Sequence, residues 1–287
     1  MIADRGPVVH QALLIRRLVQ LRRERSLTQE DVASRMECSH AKIMRYEGGS
    51  QVLPKAELDA LLSIYGVANT PTGRELQSIG QKARQKPWWH PLRHVMNPGY
   101  RRFAGFEMGA DRICQYQPLV VPGLLQTRDY AHSLCSATSA KADVEDLVAV
   151  RMGRQGVVMA RSPAPQRTFV LDEGVIRRPV GHPANPGLMV RQLHHLMDLA
   201  SAVSIRIVPE YVGLHFGLDG GFTLLGFSSE LPDVLYTEHR GDGVLSDKEN
   251  YVRKYDKEFD HIATELALNS EESLEMIESY AKNGRAA

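Results

Sequence analysis

Between residues 9 and 25, apolar and basic side chains alternate at helical spacing. Leu14, Leu18 and Leu21 fall at i, i+4 and i+7, while Arg16, Arg17, Arg23 and Arg25 lie mostly off that stripe. This pattern predicts an amphipathic helix. A second start is signalled at Leu27-Thr28-Gln29-Glu30-Asp31-Val32. Thr28 suits an N-cap, Asp31 stands near the capping-box position, and Leu27 with Val32 can form a hydrophobic staple. That helix should end near Met36. Ser39 then caps a third helix from His40 to about Glu47, stopped by Gly48-Gly49. Pro54 opens a fourth, with Leu58, Leu61, Leu62 and Tyr65 inward and Gly66 at its end, and residues 72–86 form a fifth, more polar helix. The expectation is an all-α five-helix domain over residues 1–86.

The remainder, 87–287, reads differently. A stretch rich in proline and aromatic residues, Pro87-Trp88-Trp89-His90-Pro91 and then Asn97-Pro98-Gly99, predicts an irregular connection packed by its rings. Helices are expected near 104–114, 126–137, 142–160, 187–201, 248–268 and 271–283, and strands at 168–171, 204–208, 221–227 and 234–238. The fold class is therefore multidomain: the helical domain followed by an α+β domain with a small mixed or antiparallel sheet. Tyr251, Tyr255, Phe259 and Ile262, at i, i+4, i+8 and i+11, with Leu266 beyond them, read mainly as core. The main dimer contact is still expected in this second domain, because a helical domain of about 80 residues has little spare surface.

Composition narrows the function classes. The 287 residues are 43% hydrophobic and 24% charged, which excludes a disordered polymer. No run of 18 apolar residues is present, and the first residues lack the order of a secretory signal, so no membrane and a cytoplasmic location are expected. Cys38, Cys114 and Cys135 are far apart and read as reduced thiols. The formal charge of +1 divides unevenly, with 14 basic against 9 acidic residues in 1–86 and 21 against 25 in the rest. A basic front half is what a nucleic-acid contact needs, although a solvated basic helix would look the same.

The segment 28–49 decides between them. Two short helices crossing steeply need a small residue at the crossing, a short turn and an apolar inner face, and Ala33, Glu37-Cys38 and Ile43 supply these. Lys42 sits in the first turn of its helix, where a cation opposes the macrodipole, so an external anion such as DNA phosphate would relieve it. Residues 9–66 resemble the phage-repressor-type (XRE-like) helix-turn-helix domain, through Thr28-Gln29, Ala33, Ser39, Ile43 and Glu47-x-Gly49. The resemblance implies that Gln29 binds a phosphate and that Ser39, His40, Ala41, Lys42 and Arg45 lie against the DNA. Arg16 and Arg23 are expected on phosphates, and Arg22 with Glu47 as a structural pair tying the first helix to the recognition helix. Arg45 could instead pack along its helix or pair with Glu37. Glu37 stands where the family usually has a left-handed glycine, at a cost of about 1 kcal/mol.

The second half resembles the C-terminal domain of a set of antitoxin-like actinobacterial regulators. The residues concerned include Trp88-Trp89, Glu107, Tyr116, Val121-Pro122-Gly123-Leu124-Leu125-Gln126-Thr127, Arg151, Arg154-Gln155 and Tyr236. That resemblance implies a small acidic protein partner, encoded by a neighbouring gene. No catalytic, cofactor or metal site is expected. His194-His195 point about 100° apart on a helix and cannot chelate together. Asp172-Glu173 are expected to divide between an arginine, such as Arg151 or Arg154, and solvent. Pro122-Gly123 reads as a turn, though its loop could line a pocket. The expected function is a sequence-specific transcriptional regulator, a homodimer on double-stranded DNA. The alternative is an antitoxin-like protein that sequesters a small partner.

Overall fold

The computed structural model describes residues 5–228, 230–239 and 242–283. The chain divides into two compact units, residues 1–88 with 228–231, and the remainder.

The first unit contains α1 (Pro7–Glu24), α2 (Gln29–Arg35), α3 (His40–Glu47), α4 (Lys55–Ile64) and α5 (Pro71–Ala83). All five helices form where the apolar periodicity and caps place them. Leu14 and Leu18 of α1, Leu58 and Leu62 of α4 and Leu76 of α5 form a shared core. Tyr65 and Leu61 are buried with them, and Gly66 ends α4 at a φ of 68°.

The second unit holds α6 (Pro98–Gly109), β1 (Arg112–Gln117), α7 (Arg128–Thr138), α8 (Val144–Met159) and β2 (Gln166–Asp172). It continues with α9 (Glu173–Arg177), α10 (Leu188–Leu199), β3 (Ser204–Val208), β4 (Phe222–Gly226), β5 (Val234–His239), β6 (Asp242–Ser246), α11 (Glu249–His261) and α12 (Ser270–Lys282). The six strands form one mixed sheet in the order β3-β2-β1-β4-β5-β6. β1, β2 and β3 run parallel, and the other pairings are antiparallel. Alternate residues of the central strands take opposite faces. Cys114, Tyr116, Val170, Phe222, Leu224 and Leu235 pack under Val252 and Phe259 of α11. Phe169, Leu171, Ile205 and Ile207 are buried on the other side.

Four expectations are corrected. Residues 112–114 belong to a strand, and the helix expected at 104–114 starts earlier, at Pro98, where Asn97 accepts a capping bond from the Tyr100 N–H. In this central strand Ile113, Cys114, Gln115 and Tyr116 are all buried, with both faces covered. β6 was also missed. The helix expected over 248–268 is α11 followed by a π-helical turn at Ile262–Leu266. Its stripe is core at Phe259 and Ile262, while Tyr251 is exposed. Asp172 and Glu173 pair with neither Arg151 nor Arg154. Asp172 caps α9 by accepting the Gly174 N–H, and Glu173 accepts from the Glu210 N–H and the Tyr280 hydroxyl. Burial, followed by the bond to Glu173, pushes the Tyr280 hydroxyl up to about 12.

The loop at 121–127 is filled by its own chain. Gln126 donates to the Val121 carbonyl, Gln155 to the carbonyls of Gly123 and Gln126, and Gln192 to that of Leu125 while accepting from the Thr127 N–H. Beside it Arg154 of α8 is bound to Glu107 of α6 through two nitrogens, and a third donates to the Tyr100 hydroxyl at 3.1 Å. Burial pulls the Arg154 pKa down, but the Glu107 charge outweighs it and the guanidinium is held above its ordinary value. A side chain at Gly123 would start 3.0 Å from the guanidinium, so glycine there serves close approach.

Candidate nucleic-acid interface

The helix-turn-helix is assembled from local signals. Thr28 accepts the Asp31 N–H at 3.1 Å, and its own N–H donates to the Asp31 carboxylate at 2.8 Å, a complete capping box that opens α2. That bond from the Thr28 backbone lowers the Asp31 pKa. The turn bends at Glu37 with φ 51°, so the left-handed position is occupied without glycine. The Cys38 N–H returns to the Ala33 carbonyl at 3.0 Å, with Ala33 buried at the crossing. Ser39 has the extended backbone of an N-cap, but its side chain makes no capping bond, which corrects the expected hydroxyl cap. Ile43 and Tyr46 form the buried face of α3.

Arg22 and Glu47 meet as the sequence suggested, by a two-pronged ion pair at 2.6 and 2.9 Å. Their side chains are only 12% and 14% exposed. Arg22 also donates to the Leu27 carbonyl, and the bonded Glu47 raises its pKa. The network extends further. Gln29 donates its amide to Glu47 at 2.8 Å, and its carbonyl lies 3.1 Å from His40 Nε2. A carboxylate requires the amide NH2 on its side, which leaves an acceptor facing the imidazole, so Nε2 is the protonated nitrogen. Glu30 lies 3.3 Å from the same nitrogen. Helices α1, α2 and α3 are thus fastened by one chain of polar contacts.

This network changes the picture of the interface. The Gln29 amide, expected on a phosphate, is already engaged on both sides, and His40 faces Gln29 and Glu30. Lys42 is engaged as well. Its ammonium donates to Glu57 of α4 at 2.5 Å, so the anion that answers its first-turn position lies inside the protein. The bond to Glu57 raises its pKa. Sequence reasoning missed Glu57 because a contact across 15 positions leaves no periodic trace. Ala41, Met44 and Arg45 stay exposed on the outward side of α3, and Met44 was also missed. Arg45 does not pair with Glu37. It reaches Gln51 through Nε alone, at 3.5 Å. Arg16 and Arg23 are exposed on α1, whereas Arg17 is tied to Glu75 at 2.7 Å.

Among the described residues no group of three His, Cys, Asp or Glu side chains could hold a metal ion, and no helix is long and apolar enough to cross a membrane. Residues 13–76 match the family described as a helix-turn-helix domain, and residues 100–279 match one described as a domain of unknown function (DUF5753). No curated protein and no solved structure matches the chain.

Proposed function

The chain belongs to the DUF5753 family and carries a helix-turn-helix DNA-binding domain ahead of that region, and on this footing we propose that it is a sequence-specific transcriptional regulator of the cytoplasm. It acts by binding and not by catalysis. The observation that carries the reading is the fastening of α3 by Arg22, Glu47, Gln29 and His40, which leaves one exposed helix face aimed away from the unit. A helix held in this way can enter a major groove without its own stability depending on DNA. Arg45 presents a planar fork suited to guanine, and Arg16 and Arg23 supply phosphate contacts. The protein works as a homodimer joined through its second unit, on half-sites about one helical turn apart.

Titration on cognate, single-base-changed and random duplexes at several salt concentrations tests this. Arg45→Ala is expected to cost about 1–3 kcal/mol on the cognate site and to relax preference at one base pair. Arg16→Ala or Arg23→Ala should weaken all duplexes alike and flatten the salt slope by about one. Equal loss on every duplex for Arg45→Ala would remove it from base readout. Light scattering should give a dimer for the full chain and a monomer for residues 1–86.

A second reading, an antitoxin-like protein that sequesters a small acidic partner, is favoured by one observation. Tyr211, Leu214 and Leu218, between β3 and β4, are 82%, 95% and 46% exposed. Mapping bound genomic sites with and without the neighbouring gene separates the two readings. Unchanged sites favour the autonomous regulator.

A further inference from the structure

The face that α3 offers to DNA is less polar than its sequence suggests. His40 and Lys42 look like the natural base readers, yet both are held by carboxylates or amides of their own unit. The side chains left on the outward side are Ala41, Met44 and Arg45, at i, i+3 and i+4, which are neighbours on a helix surface. Met44 is 52% exposed, and with Val52 it is one of two large apolar side chains that the described part of this unit exposes. Single exposed apolar residues are common on protein surfaces. This one stands between an alanine and an arginine on the only helix proposed to enter a groove, and its unbranched thioether adapts to an irregular apolar partner.

The major groove displays one strongly apolar group, the C5-methyl of thymine. Resting on the DNA-binding reading above, we infer that Met44, with Ala41 beside it, forms an apolar contact for a thymine methyl, next to the base pair read by Arg45. The preferred half-site then contains a thymine next to the guanine, and its recognition depends on the methyl and not on the hydrogen-bonding edge. Met44 becomes a specificity-determining residue of the interface, and Lys42 becomes a brace between α3 and α4.

The test uses the full chain. Its preferred site is first selected from random duplex DNA, and each thymine of that site is then replaced singly by uracil, which removes the methyl and keeps every hydrogen-bonding atom. Affinity is expected to fall about fourfold at one thymine per half-site, the value of burying one methyl-sized group, and to stay level at the others. Met44→Ala should weaken the thymine duplex by a similar factor and abolish the difference between thymine and uracil there. Met44→Leu should retain the difference. Because Met44 is half exposed, the melting temperature of each variant should match the parent. A flat uracil series on a site that is nonetheless selected overturns this inference and leaves the DNA-binding reading standing. A uracil penalty that persists in Met44→Ala also overturns it. If no sequence is selected, both fall.

Discussion

Each unit contains an arginine–glutamate pair that joins two helices, and the two pairs are built to different ends. In the first unit, Arg22–Glu47 keeps a little solvent exposure and hands its second carboxylate oxygen to Gln29, which continues to His40 near the surface. In the second, Arg154–Glu107 is sealed, with Glu107 fully buried, and the guanidinium lies over the rings of Phe103 and Tyr100 at 4.9 and 5.8 Å. One network leads outward to a recognition surface. The other ends at the Tyr100 hydroxyl, beside the glutamine-closed loop but not bonded to it. A polar network that ends at the surface can position something for a partner, whereas one that ends inside fixes only the fold.

The sharpest way to break this comparison is to remove one partner from the sealed pair. Glu107→Ala or Arg154→Ala should each cost about 3–5 kcal/mol, because an uncompensated charge is left buried. The double variant Glu107→Leu with Arg154→Leu should lose less than either, measured by denaturant unfolding of the full chain. If the double variant is worse than both singles, the pair stabilises beyond compensating its own burial. Arg22→Ala should cost less, about 2 kcal/mol, since residual solvent shields Glu47. It should also weaken DNA binding by misdocking α3, visible as a lower melting temperature together with reduced affinity. An unchanged melting temperature would mean that the network does not hold the helix.

Smaller effects follow from the local signals. Thr28→Ala removes the capping bond to Asp31 and should cost about 1 kcal/mol, read from the first unit's melting transition. Glu37→Gly should act in the opposite direction. Relief of the left-handed strain outweighs the entropy added to the unfolded chain, and the gain should be about 0.5 kcal/mol. A loss of stability on Glu37→Gly would mean that its side chain contributes more than its backbone costs.

The first unit was legible in sequence because its determinants lie within one turn of each other. Thr28 to Asp31 spans three residues, and the glycines at 49 and 66 mark helix ends by backbone need alone. The pair Arg22–Glu47 was reached only through a family resemblance. What stayed hidden depends on contacts far apart in the chain. Glu57 meets Lys42, Glu107 meets Arg154 across 47 positions, and β1 is a central strand set by its pairing with the distant β2 and β4. The same limit explains the polar residues of α3. Family resemblance and helix position marked His40 and Lys42 as available groups, and only their surroundings reveal that they are engaged.

The loop at 121–127 has a bearing on how any salt titration of this protein is to be interpreted. Its buried bonds are made by Gln126, Gln155 and Gln192, amides that neither gain nor lose charge across the usable pH range. The nearest cations are Arg151, which reaches Gln126 at 3.4 Å, and Arg154, whose pair with Glu107 is buried where salt screens little. Added electrolyte therefore has little to screen in this part of the molecule. Ionic strength can be varied widely with that scaffold acting as a constant, and the slope of affinity against salt counts displaced counterions.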